Sequence, residues 1–155
     1  MLKGNHDYWW NSLTKLNEYI EENSFEGIKF LHNNSYEVEG KIIVGTRGWN
    51  LFGEEADEKI LARELIRLEL SIKSGIETYG KDKEIIACLH FPPTNKDILE
   101  NSKFIQLMKK YNVKKCIYGH LHGEAKLEAV EGELEGIDLK LVSADYLKFK
   151  LYKVS

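Results

Sequence analysis

The stretch Glu84–Pro93, "EIIACLHFPP", decides the architecture. Its apolar run reads as a strand that goes straight into a histidine, and the Pro92-Pro93 pair ends strand pairing just beyond it. The arrangement recurs at Lys114–Gly123, "KKCIYGHLHG", where a second apolar run meets His120 and His122. Between them, from about Lys96 to Tyr111, Ile98, Ile105, Met108 and Tyr111 fall at helical spacing. Strand, helix, strand is the rhythm of a mixed α and β chain.

The same alternation extends outward. From Glu54 to Tyr79 the residues Leu61, Leu65, Leu68, Ile72, Ile76 and Tyr79 make an apolar stripe, with Arg63, Arg67 and Lys73 off it. Further upstream, short β-like runs between Gly27 and Trp49 are broken at Asn33-Asn34 and Glu39-Gly40, which reads as hairpin turns. A first helix over "WNSLTKLNEYIEEN" places Leu13, Leu16 and Ile20 on one face, with Asn11 or Ser12 as its cap. Downstream, "GIDLKLVS" and "LKFKLYKV" alternate and predict antiparallel strands.

Composition sets the outer bounds. The 155 residues, 43% apolar and 30% charged, fit one folded domain over residues 1–155. A net charge of −3 without a large basic block argues against nucleic acid as the main partner. No apolar run reaches membrane-spanning length and no signal-peptide layout opens the chain, so a cytoplasmic location is expected. Cys88 and Cys116 lie inside apolar runs without a CxxC neighbour and read as reduced, buried thiols.

Four of the five histidines have strong local contexts. His6 lies in Gly4-Asn5-His6-Asp7, His90 ends the strand before Pro-Pro, and His120 and His122 flank Leu121 between two glycines. Histidines at i and i+2 project to the same side of extended backbone, and imidazole is the commonest side-chain metal ligand. A single histidine at a strand end is usually structural. Several at the ends of neighbouring strands converge on one sheet edge, where α/β proteins build sites. His32, in "FLHNN", reads as a solvated loop residue.

"GNHD", then "LHFPP", then "GHLH", in that order, resemble the motifs of the calcineurin-like metallophosphoesterases, small bacterial phosphohydrolases among them. The resemblance implies a phosphomonoester or phosphodiester hydrolase, acting on a small-molecule phosphoester. Its fold would be two packed mixed β-sheets flanked by helices. Two divalent ions (manganese, iron, zinc, nickel or magnesium) would activate a water. Carried over by motif, Asn5, His90 and His120 would bind one metal and His122 the other. His6 would meet the phosphate and protonate the leaving group, and Asp7 would orient its ring. The metallo-β-lactamase pattern His-x-His-x-Asp-His is not met, since "GHLHGEA" lacks the Asp-His pair.

Every metal ligand so assigned is neutral, yet two divalent ions about 3.5–4 Å apart need anionic ligands between them. The family takes these from Asp-x-His and Gly-Asp motifs, and neither occurs here. The expectation is a C-terminal portion of a longer domain, N-terminally truncated, with Met1 an internal methionine. A catalytically incompetent fragment, or a non-catalytic metal- or phosphate-binding remnant, is the alternative. Of the remaining candidates, Arg47 in "GTRGW" is placed between a substrate-phosphate contact and a loop salt bridge. Tyr8, Trp9 and Trp10 are expected in the core, and Asp145 in "SADYL" is assigned nothing.

Overall fold

The computed structural model describes residues 1–51 and 57–154. Its centre is a six-stranded sheet in the order β1-β2-β3-β4-β6-β5. These strands span Ser35–Val38, Lys41–Thr46, Ile85–Leu89, Lys115–Tyr118, Gly132–Leu134 and Ile137–Leu141, numbered in chain order. The middle strands β2, β3, β4 and β6 run parallel, and the antiparallel hairpins β1-β2 and β5-β6 close the two edges. Helix α1 is Leu13–Glu22, α2 is Glu58–Tyr79 and α3 is Lys103–Lys110.

Alternation decides which face of the sheet is covered. Ile42, Val44, Ala87, Leu89, Cys116, Tyr118, Leu139 and Leu141 form one core with Leu68 and Ile72 of α2 and Phe104, Ile105 and Met108 of α3. Removing each large aliphatic group from water stabilises the fold by about 1.5–3 kcal/mol. Asp57 starts α2 by accepting hydrogen bonds from the Lys59 and Ile60 amides at 2.8 and 3.1 Å. Beside its apolar stripe α2 carries a small and polar one, Glu64, Ser71 and Gly75, all buried. Ser71 Oγ accepts the Gly45 N–H at 2.9 Å, while at Gly75 a β-carbon would stand 2.4 Å from Ile42 Cγ2. The helix can therefore approach β2 closely.

The class read from the sequence, mixed α and β, is the class observed. Where the resemblance implied two packed sheets, the described residues form one. The Glu39-Gly40 turn joins β1 to β2 as expected. Asn33-Asn34 is instead a bend, because Leu31 pairs in parallel with Leu2 rather than with a neighbouring strand. The Lys96–Tyr111 helix is interrupted: a short 3-10 turn, Leu99–Asn101, precedes α3. There the Asn95 side chain takes the Asp97 and Ile98 amides, and Leu99 sits at φ +37°. "LKFKLYKV" is not a strand, since Lys148 and Phe149 turn away at positive φ and β5 already pairs with the outer side of β6. Glu54–Ala56, the expected start of the second helix, lie outside the described residues.

Candidate functional site

Because β2, β3, β4 and β6 are parallel, the loops after Thr46, Leu89, Tyr118 and Leu141 all leave from one edge. Backbone pairing continues past the strand ends and fixes the loops to one another. The Arg47 carbonyl accepts the His90 and Phe91 amides at 3.1 and 2.9 Å, and the His90 carbonyl accepts the Gly119 amide at 3.2 Å. His90 is thus held between the β2 and β4 loops. That placement is tertiary.

Three of the predicted ligands meet there. His90 Nε2 lies 2.7 Å from Asn5 Oδ1, and His120 Nδ1 lies 3.2 Å from the same His90 nitrogen. The two imidazoles stand edge to face at 5.0 Å, and Phe91 packs 4.2 Å from the His120 ring. His120 adopts φ +70°, a left-handed conformation that costs a non-glycine residue roughly 1–2 kcal/mol. Such strain collects where a side chain must be aimed. Gly4 packs tightly on the other side, where a β-carbon would come within 3.1 Å of His90 Cε1 and 3.3 Å of Asp7 Oδ2.

Burial, followed by the neighbouring His120, holds His90 down to about 4; Asp7 opposes them, and Arg47 and His122 add smaller contributions in the lowering direction. At neutral pH His90 is therefore an uncharged imidazole, the form that binds metal.

The other predicted residues are placed differently. His122 is exposed, and its Nδ1 lies 2.9 Å from Asp145 Oδ1. Asp145 Oδ2 accepts the Gly123 amide at 2.9 Å, and that bond, with His122, holds the carboxyl near about 2. Asp145, to which the sequence assigned nothing, is therefore the residue that fixes His122. Its signal was its position just beyond β6, whose parallel pairing brings "SADYL" to the same edge.

Asp7 accepts the Gly4 N–H at 2.6 Å and the Trp9 Nε1–H at 3.1 Å, so its bonds tie the loop rather than the His6 ring. His6 is exposed, edge-on to Tyr8 at 6.1 Å. Trp10 enters the core beside Phe30, but Tyr8 and Trp9 are 87% and 55% exposed, contrary to expectation. One loop can turn only one of three consecutive side chains inward here. Arg47 is half-buried over the Trp49 ring at 4.6 Å, and its Nε is buried without a hydrogen-bond partner.

Asn5, His90 and His120 present three neutral donors to one another, a set that fits a single divalent ion. Among the described residues no group of three or more His, Cys, Asp or Glu side chains is placed to hold a metal. Of the three donors that meet, only His90 and His120 are of those types, since Asn5 contributes an amide. No helix among the described residues is long and apolar enough to cross a membrane.

Residues 1–124 match the family model for calcineurin-like phosphoesterases. No curated protein and no solved structure matches the chain.

Proposed function

The chain belongs to the calcineurin-like phosphoesterase family, and from that premise we propose that it hydrolyses a small-molecule phosphoester at the edge built by Asn5, His90 and His120. The observation that carries this reading is the contact of Asn5 Oδ1 and His120 Nδ1 with one nitrogen of His90. Three residues from separate parts of the chain converge there with their lone pairs in a half-buried setting.

Asn5, His90 and His120 would hold a divalent ion, with His122 and its partner Asp145 beside them as the candidate second position. These residues would hold a divalent ion that would supply Lewis acidity to a phosphoryl oxygen and an activated water. The half-burial of His90 keeps its ring neutral and so available as a ligand. His6, exposed on the same loop as Asn5, is free to swing toward a leaving alkoxide and donate its proton. Arg47 offers a guanidinium to the phosphate oxygens. Residues 1–155 are read as one domain of this kind. A cytoplasmic setting agrees with two cysteines kept as free thiols.

The test uses 4-nitrophenyl phosphate and bis(4-nitrophenyl) phosphate with manganese. Turnover should fall by about 10²-fold or more in His6→Ala with bound metal unchanged. In His90→Ala the metal itself should be lost, as read by elemental analysis. Equal metal loss in both variants would remove the separate roles.

A second reading, binding without turnover, is favoured by one feature: the three ligands proposed for one ion, Asn5, His90 and His120, are all neutral side chains. Two adjacent divalent ions would then lack charge compensation. Manganese binding without hydrolysis of either ester would select it.

A further inference from the structure

A cavity of about 330 Å³, linked to the histidine cluster through Arg47, has a basic polar wall. Lys3, Arg47 and Arg67 line it, together with His32 and Glu64. Expected to be solvated, His32 is instead half-buried in this wall. The N-terminal end of α1, Asn11 to Leu13, closes another side.

Glu64 offsets one of these three charges by pairing with Arg67. It is fully buried, accepting from Thr46 Oγ1 and, at 2.6 Å, from Arg67 Nη1. One of the five guanidinium donors of Arg67 is used by that bond. Three cations against one carboxylate leave the wall net positive, and burial with the charge of Arg67, opposed by Glu64, lowers His32 below its ordinary value. The helix end adds backbone amides and the positive pole of its dipole. Guanidinium forks and a helix N-terminus together suit a tetrahedral oxyanion.

Arg47 belongs to both places. It lines the cavity, while its carbonyl holds His90 and its charge acts on the His90 ring. Lys3 is two residues from Asn5.

Resting on the phosphoesterase reading above, we infer that this cavity seats a second phosphate group of the substrate. The substrate class is then small molecules that carry two phosphates, one at the histidine cluster and one in the cavity walled by Lys3, Arg47 and Arg67. Leu2, Leu13 and Leu31 line the rest of the cavity and would meet the substrate's carbon body.

The experiment is calorimetric titration of the metal-free chain with inorganic phosphate. Saturable binding is expected, weakened by about tenfold or more in Lys3→Gln and in Arg67→Gln, because each removes a charge-assisted contact. In His120→Asn it should stay within about twofold of the parent. Absence of binding, or binding lost in His120→Asn and kept in Lys3→Gln, would overturn the inference. If Arg67→Gln fails to fold because Glu64 loses its partner, Lys3→Gln and Arg47→Gln decide the matter. With manganese, 1,3-propanediol bisphosphate should be hydrolysed with at least about tenfold higher kcat/KM than propyl phosphate, a ratio that Lys3→Gln collapses. Failure of the phosphoesterase reading looks different: neither ester turns over, while phosphate binding and its loss in Lys3→Gln persist.

Discussion

At His90, packing and chemistry meet in one side chain. Its ring nitrogen is shared by Asn5 and His120, and its folded-state value of about 4 reflects burial first and neighbouring cations second. An unfolded histidine titrates near about 6.5. Between those values the unfolded chain binds a proton that the folded chain refuses. Stability of the metal-free protein should therefore be full above pH about 6.5 and fall as pH drops toward about 4. Urea midpoints at pH 7 and pH 4.5 measure it, and His90→Gln should flatten the difference. An equal slope in the variant would assign the acid sensitivity elsewhere. Asp145 teaches a complementary lesson at the same scale. Nothing in "SADYL" announces a partner for His122, yet the aspartate lies 2.9 Å from it and from the Gly123 amide.

At the scale of elements, α2 explains how the edge is held. Its apolar stripe was legible as Leu61, Leu65, Leu68 and Ile72 at helical spacing, and Leu68 and Ile72 are fully buried. What periodicity did not show is the adjoining stripe of Glu64, Ser71 and Gly75, which lies against β2 and its flanking segments. Glu64 bonds Thr46 at the end of β2, and Ser71 bonds the Gly45 amide and the Asn34 carbonyl. Gly75→Ala should destabilise the fold by about 1–3 kcal/mol, because the new methyl must displace Ile42 and the helix must lift. A denaturation midpoint unchanged within error would mean that α2 can slide at no cost. α3 shows the opposite case, a helix shorter than its pattern. Asn95 diverts the first amides and the periodic residue Ile98 falls outside the helix.

Across the whole molecule, one covered sheet face carries the core and one sheet edge carries the site. Cys116 is fully buried in that core, and burial pushes the Cys88 thiol up to about 12. Cys116 should resist a thiol reagent at neutral pH until global unfolding; its rapid modification in the folded chain would show that the sheet opens locally. Cys88, expected to be buried, is only half-buried in a cavity beside Leu2 and Ile43 and is slowed by its raised thiol alone. The motifs, the helix stripes and the strand-to-histidine junctions were legible in the sequence because each depends on neighbours three or four residues away, or on the next residue. So was the chemistry of neutral ligands, since residue type alone sets the charge of a donor. Which donors meet is another matter. The strand order β2-β3-β4-β6 brings Arg47, His90, His120 and Asp145 to one edge, and that order rests on pairings between segments far apart in the chain. The same pairings turned His32 into a cavity wall and left Trp9 in solvent. Local pattern dictates what a residue can do. Only long-range packing, where burial and backbone pairing compete across the whole chain, decides what it touches.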